Sequence, residues 1–222
     1  MSDAKAAVRK NLDEAGVNES AMFADGDNAS LDDVIAKTLP EAVNIIHQSA
    51  PVEVLDGLIM SAEDVLSAGI EDGVLSFDIQ KDFLRLVTFR AEDSPVPVAL
   101  AVPEHSPVGR MQLNPYTRGV YDAPVLVLCQ GKVRQSKDDA ADTDKVTSFR
   151  YYTLSKDYDE PGEAIARFEY LPRYSYKSDT TSYNVAENVV DNIIYQLTAM
   201  VLSILGETNK AGYFFKLSSF NQ

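Results

Sequence analysis

Apolar residues recur at helical spacing between residues 30 and 50, in the stretch "SLDDVIAKTLPEAVNIIHQSAP". They form one stripe, made of Leu31, Val34, Ile35, Leu39, Val43 and Ile46. Such a stripe predicts an amphipathic helix with one buried face. Ser30 precedes the stripe as an N-cap, and Asp32 and Asp33 suit the positive end of the helix dipole. Pro40 interrupts the pattern and predicts a kink or two abutting helices, and Pro51 closes it.

From Val74 onward the apolar pattern changes to the period of β-strands. "GVLSFDIQ" and "DFLRLVTFR" alternate apolar and polar positions, which predicts two strands joined by a short turn. "APVLVLCQGKV" is a short continuous apolar run, typical of a strand buried on both faces. "KVTSFRYYTLS" and "EAIARFEYLPRYSY" are aromatic and β-branched, which favours two further strands. Residues 94–119, between "DFLRLVTFR" and "APVLVLCQGKV", are rich in proline, so we expect an edge strand and a long irregular loop there.

The most apolar stretch, "VAENVVDNIIYQLTAMVLSIL", covers residues 185–205 and predicts a helix that ends at Gly206. Its main stripe consists of Ala186, Val189, Val190, Ile193, Leu197, Met200, Val201 and Ile204. Ile194, Leu202 and Leu205 extend the apolar surface around the other side, and a helix apolar on most of its circumference is a buried one. One domain could enclose this helix unaided, but the excess favours contact with another subunit through these three residues. The closing "AGYFFKLSSF" is interpreted as a terminal strand.

The order of helices, then strands, then a long helix indicates an α+β fold rather than alternating α/β. We expect N-terminal helices, a mostly antiparallel sheet and a long buried C-terminal helix. Residues 1–30 are polar and acidic, and they are predicted to form a flexible N-terminal arm, with a short amphipathic helix in part of it as the alternative. Residues 31–222 are predicted to form a single domain with a proline-rich loop at about residues 94–119.

The net charge of −14 is concentrated at the start of the chain. Residues 1–75 carry 4 Lys or Arg against 15 Asp or Glu, whereas residues 76–222 carry 16 against 19. An acidic surface repels phosphate, which argues against a DNA-binding groove in the first part and suits solubility or a basic partner. "MSDAKAAVRK" lacks the apolar core of a signal peptide, and no stretch reaches the roughly 18 apolar residues of a membrane span. We therefore expect a soluble intracellular or particle-associated protein with no membrane partner.

Candidate chemistry is sparse. Cys129 is the single cysteine, which rules out an internal disulfide framework, and the two histidines are His47 and His105. No spacing links these three residues into a nucleophile and its base, so a buried structural cysteine is the preferred interpretation. No Cys or His pair has metal-ligand spacing, and no glycine-rich loop opens a helix. We therefore predict that the protein is not an enzyme and has no catalytic residues, no metal site and no cofactor.

Two segments are candidate protein–protein surfaces because Tyr and Arg are typical interface anchors. In "RMQLNPYTRGVYDAPVLVL", Arg110 and Arg118 flank Tyr116 and are placed to grip a neighbouring chain. The second segment is "LPRYSYKS", and its candidate residues are Tyr170, Arg173, Tyr174 and Tyr176. A plain surface loop in the first case and packed strand aromatics in the second remain alternatives.

Three stretches, "LPEAVNIIHQSAP", "RMQLNPYTRGVYDAPVLVL" and "NVVDNIIYQLTAMVLSILGE", resemble structural proteins of the crAss-like phages of Bacteroides. They look most like one of the ring proteins stacked below the portal in the head-to-tail connector. The resemblance implies a non-enzymatic virion subunit, assembled in the bacterial cytoplasm as a homo-oligomer, a dodecameric ring around the DNA channel. The implied partners are copies of itself, the portal protein and neighbouring connector, adaptor or tail rings, with DNA passing without sequence-specific contact. One alternative is a small cytoplasmic enzyme, namely a hydrolase that depends on Cys129. The other is a nucleic-acid-binding module built on the tyrosines.

Overall fold

The computed structural model describes residues 2–17, 30–55, 57–62, 69–71, 74–78, 82–91, 96–120, 122–130, 147–152, 166–176 and 182–220. Within them the α-helices are α1 (Ser2–Glu14), α2 (Leu31–Ser49), α3 (Pro107–Met111), α4 (Val190–Ile204) and α5 (Thr208–Ser218). The strands are β1 (Met60–Ala62), β2 (Gly69–Glu71), β3 (Val74–Asp78), β4 (Phe83–Ala91), β5 (Ala101–Pro103), β6 (Val125–Gln130), β7 (Thr147–Tyr152) and β8 (Ala166–Pro172). Short 3₁₀ turns occur at Val52–Leu55 and Glu187–Val189. The predicted α+β class, with N-terminal helices and a long C-terminal helix, is confirmed.

Two compact units divide the chain. The helical unit combines Met1–Leu58 with Arg173–Gln222, and the sheet unit is Ile59–Pro172. The sequence predicts one domain over residues 31–222 without such a division, and that stays a prediction. A pattern of apolar residues along the chain does not show that two distant segments pair with each other, so this division had no signal in the sequence.

Helix α2 begins where the sequence predicts. The hydroxyl of Ser30 accepts a hydrogen bond from the Asp33 backbone N–H, and the Asp33 carboxylate accepts one from the Ser30 backbone N–H, both at 3.3 Å. This reciprocal pair is a capping box, which satisfies two backbone donors at the start of the helix. The helix then continues through Pro40 to Ser49 as one element, so the alternative of two abutting helices is wrong.

Helix α4 is the centre of the helical unit, where it packs against α1, α2 and α5. Its fully enclosed side chains are Leu197, Thr198, Ala199, Val201 and Leu202. Buried polar groups on this helix find partners: the Ser218 hydroxyl donates to Gln196 Oε1 at 2.9 Å, and Asn11 Nδ2 donates to Thr198 Oγ1 at 3.1 Å. The helix is therefore a core element of its own chain.

The chain reverses sharply after α4. Gly206 has a φ of +83°, its N–H donates to the Ser203 carbonyl, and the Glu207 N–H donates to the Leu202 carbonyl. These two bonds form a Schellman motif, and glycine accepts the left-handed conformation without a Cβ penalty. The reversal lays α5 against α4, so the prediction of a terminal strand in "AGYFFKLSSF" is wrong.

The first half of the predicted N-terminal arm is α1. Val8 and Leu12 are buried in the helical unit, and Arg9 and Lys5 lie 3.1 and 3.5 Å from the carboxylate of Asp32. A helix with a buried apolar face and ion pairs to a neighbouring helix is part of the packed unit. Residues 18–29 of the predicted arm lie outside the described residues.

The sheet unit contains two sheets rather than the one expected. One has the strand order β1-β8-β4 and is antiparallel throughout, with register shifts along the β4–β8 pair. The other has the order β2-β3-β7-β6-β5, in which β5 and β6 are parallel and the other described pairs are antiparallel. The mostly antiparallel character is therefore confirmed, and the parallel β5–β6 pair requires a crossover between neighbouring strands.

Within the described ranges, no helix combines the length and the hydropathy that crossing a bilayer requires.

Candidate functional site

The crossover between β5 and β6, residues 104–124, is hereafter called the connecting loop. It opens with α3, for which Ser106 is the N-cap: its hydroxyl accepts a hydrogen bond from the Gly109 N–H at 3.0 Å. Pro107 follows at the first helical position, where a missing N–H costs nothing. A Cβ on Gly109 would lie 2.4 Å from the Pro103 carbonyl oxygen, so the loop packs tightly onto the strand that precedes it.

Gln112 holds the connecting loop together from inside. Its side-chain amide donates to the Val108 carbonyl at 3.0 Å and accepts from the Gly119 N–H at 2.7 Å. The backbone carbonyl of Gln112 accepts from Arg118 Nε at 3.0 Å. Only 3% of this residue is exposed. A buried amide whose groups are paired fixes the chain segments that it joins.

The tip of the loop is fixed by two further side chains. Asn114 Oδ1 accepts from the Tyr116 N–H at 3.0 Å, which is the pattern of an Asx turn. The Thr117 hydroxyl donates to the Met111 carbonyl at 2.6 Å. The backbone of residues 111–119 is therefore set by hydrogen bonds within the loop.

On this fixed backbone, large apolar side chains face the solvent. Tyr116 is 96% exposed, Leu113 is 64% exposed and Met111 is 51% exposed. Single exposed apolar residues are common on any protein, but several on one short loop make that loop a candidate interaction surface. We name Met111, Leu113 and Tyr116 the tip patch.

The two arginines predicted beside Tyr116 have different settings. Arg110 is exposed, as a residue at the edge of a contact would be. Arg118 is half-buried, bonded to the Gln112 carbonyl, and its guanidinium carbon lies 5.8 Å from the ring centroid of Tyr152 on β7. Arg118 therefore fastens the loop to its own sheet through a cation–π contact.

The second predicted segment is divided between core and surface. Tyr170 is buried, its ring lies 5.4 Å from that of Phe168, and its hydroxyl donates to Asp82 at 3.4 Å. Tyr170 is thus a core residue of the sheet unit, in agreement with the alternative of packed strand aromatics.

The rest of that segment, in the helical unit, is only partly exposed. Tyr174 is half-buried, and its backbone is bonded in both directions to Asn44, at 2.7 and 2.8 Å. Arg173 and Tyr176 are exposed. Two exposed side chains beside a backbone that is occupied within the unit make a weaker surface than the tip patch.

The late-helix residues are sheltered more than the sequence suggested. Leu202 has no exposed surface, Ile194 and Leu205 are half-buried, and Ile204 is the exposed apolar residue of α4, at 59%. Helices α1, α2 and α5 of the same chain pack around α4. The apolar excess of this helix therefore gives no argument for assembly.

Cys129 has the surroundings of a core side chain. It is 4% exposed and packs with Val127 and Tyr152, and its Sγ lies 4.0 Å from the Val127 carbonyl oxygen. Burial raises the pKa of this thiol above its ordinary value, which reduces the thiolate needed for nucleophilic attack.

The two histidines have opposite surroundings. His47 is fully buried, and burial lowers the pKa of its imidazole, whereas His105 is exposed on the connecting loop. Among the described residues, no three potential metal ligands lie together.

Sequence reasoning found the connecting loop and Tyr116 but missed Gln112, which organises both. A glutamine in a polar loop carries no sign that its side chain will be buried. No family model matches the chain, and no curated protein matches it.

Proposed function

We propose that this chain is a non-enzymatic structural subunit that assembles with copies of itself into a ring, in the portal vertex or head-to-tail connector of a phage. The observation that carries the proposal is the tip patch, above all the 96% exposure of Tyr116 on a loop whose backbone is fixed by hydrogen bonds. The location in a virion comes from the resemblance of the three sequence stretches, and the tip patch supports only the assembly.

The tip patch suits a permanent contact for an energetic reason. A flexible loop must lose conformational entropy when it binds, whereas this loop is already held by Gln112, Asn114 and Thr117. Tyrosine is among the residues that contribute most to interfaces, because it buries a large rigid ring at a small entropic cost. Exposed Arg110 supplies a charge at the edge of the patch, where interfaces are polar.

The charge distribution fits a channel through which DNA passes. Residues 1–75 carry an excess of eleven negative charges, with 4 basic against 15 acidic side chains. Like charges repel phosphate, so in this proposal the acidic residues that face the channel guide DNA without retaining it. In this proposal the portal protein and the neighbouring connector rings contact other faces of the ring.

The test is assembly state and symmetry. Light scattering after size exclusion should give a discrete oligomer, and two-dimensional electron-microscopy averages should show rotational symmetry. Tyr116→Ser should shift the population toward monomers. It removes the aromatic side chain and keeps the backbone N–H that donates to Asn114. Tyr213→Ser is the matched control, since Tyr213 is 61% exposed on α5, outside the tip patch. Monomers from both the purified chain and its native particle would refute the ring.

A further inference from the structure

An apolar cleft in the helical unit is lined by residues of α1, α2 and α4 and has a volume of about 170 Å³. Its apolar wall includes Leu39 and Val43 of α2 and Val190, Ile193 and Ile194 of α4. An engineered apolar cavity of about 150 Å³ binds benzene, so a volume of this size admits one six-membered ring. The cleft is therefore large enough for a single aromatic side chain.

The cleft carries a negative charge on its α1 side. Asp3 is exposed, and it is the only charged residue among the described residues that line the cleft. An occupant that brings a positive charge next to an aromatic ring meets an opposite charge here, whereas an anion meets a like charge.

The tip patch and its flank have this combination of ring and charge. Tyr116 presents an aromatic ring that is 96% exposed, and Arg110 is exposed on the same loop. Residues 105–120 contain two arginines and no acidic residue, in a chain whose net charge is −14. The exposed loop is thus complementary to the cleft in both ring size and charge.

A closed ring of identical chains requires two unlike surfaces that fit each other, because each copy contacts the next one head to tail. The tip patch is one such surface. It belongs to the sheet unit and the cleft belongs to the helical unit, so the two surfaces share no residue. The cleft can therefore serve as the second surface of the same contact.

We propose that the cleft receives the Tyr116 ring of a second copy of this chain, with Arg110 of that copy beside Asp3. This inference rests on the proposed function, since it names the surface that the tip patch contacts in the ring.

Charge exchange tests the pairing of Arg110 with Asp3, two exposed positions where a substitution disturbs no buried group. Arg110→Glu and Asp3→Arg should each raise the dissociation constant of the oligomer about tenfold, because each places like charges across the contact. The double variant should return to within about threefold of the wild type. Sedimentation velocity measures all three. Lys216→Glu, at an exposed position of α5 outside both surfaces, is the matched control and should change nothing.

Filling the cleft tests the seat of the aromatic ring. Ile194→Phe, at a half-buried position of α4, should occupy the cleft and weaken assembly as strongly as Tyr116→Ser does. Ile194→Val keeps the cleft open and should assemble like the wild type. Urea unfolding checks that both variants fold, and if Ile194→Phe does not, the charge exchange decides.

Engineered cysteines locate the contact. A Met111→Cys chain mixed with an Ala4→Cys chain should form disulfide-linked pairs under mild oxidation, because Ala4 lines the cleft. Neither variant alone should form them, since each lacks the complementary thiol. Cys129 is buried and is shielded from the exchange.

The outcomes separate this inference from the proposed function. A wild-type chain that stays monomeric, in its native particle as well, refutes both. A ring that Tyr116→Ser dissociates, but that Ile194→Phe and Asp3→Arg leave intact, overturns the cleft as the receiving surface and leaves the assembly standing. Single charge variants that weaken the ring without recovery in the double variant overturn the pairing of Arg110 with Asp3.

Discussion

The backbone N–H of Gly119 donates to the side-chain Oε1 of Gln112 across 2.7 Å, and both residues are buried within the connecting loop. The bond joins the end of α3 to the segment that enters β6. It is the shortest of the hydrogen bonds of Gln112 described above, and Leu113 and Tyr116 of the tip patch lie between the two residues that it joins. A buried polar contact thus determines the geometry of an apolar surface.

Gln112→Ala should lower the free energy of unfolding by about 1–3 kcal/mol, because it leaves the buried Gly119 N–H without an acceptor. Urea denaturation of the variant measures this loss. Asn209→Ala, at an exposed position of α5, should stay within about 0.5 kcal/mol of the wild type. An unchanged midpoint for Gln112→Ala would show that the loop does not depend on this side chain.

Gly109→Ala should destabilise the protein by about 1–3 kcal/mol, since the new Cβ would lie 2.4 Å from the Pro103 carbonyl oxygen and 2.8 Å from that of Glu104. Both contacts are with backbone, which cannot move aside cheaply. The matched change Gly212→Ala meets no atom within 4 Å in α5 and should stabilise by up to about 1 kcal/mol through helix propensity. Thermal unfolding of the pair checks the opposite signs, and equal shifts would contradict the close approach at Gly109.

The Cys129 thiol should react slowly with a maleimide in the folded protein at neutral pH and rapidly in denaturant. Its burial limits access, and its raised pKa lowers the thiolate fraction. Labelling followed by mass spectrometry gives the two rates. Rapid labelling of the native chain would instead favour a cysteine hydrolase.

His47 should make stability depend on pH below its ordinary pKa of 6.5. Burial lowers the folded-state pKa, so the unfolded chain takes up a proton first as the pH falls. The contribution of His47 is therefore present above pH 6.5 and is lost as the pH falls toward the folded-state pKa, with a slope of at most about 1.4 kcal/mol per pH unit.

His47→Leu should flatten this part of the pH profile, measured by urea unfolding between pH 7 and pH 5. The exposed His105→Gln variant should keep the wild-type slope. If His47→Leu retains that slope too, other groups are responsible for the acid sensitivity.

Helix α2 was predictable because its signal is local. Its apolar stripe and the Ser30 cap both lie within the helix and its flank, and Leu31, Ile35 and Ile46 are indeed buried. Helix α5 was missed although its buried residues Ala211, Phe214 and Ser218 have helical spacing, because two exposed aromatics, Tyr213 and Phe215, obscure the pattern. Its helical form depends on packing against α4, which the segment alone does not show.

The candidate surface was predictable in part for the same reason. Tyr116 and Tyr170 are the same residue type in similarly mixed sequences, yet the first is 96% exposed and the second 2%. Exposure depends on which strands lie on either side, and that is a property of the sheet. Sequence composition thus located the connecting loop, and only the folded chain separated the exposed Tyr116 from the core Tyr170.

The pairing of α1 with α4 has a consequence for how the protein is made. Asn11 and Thr198 share a hydrogen bond although 187 positions separate them in sequence. During translation α1, with its buried Val8 and Leu12, is therefore made long before its partner α4. Contacts so distant in sequence form slowly, so we expect the joining of α1 to α4 to be a late step in the folding of the helical unit.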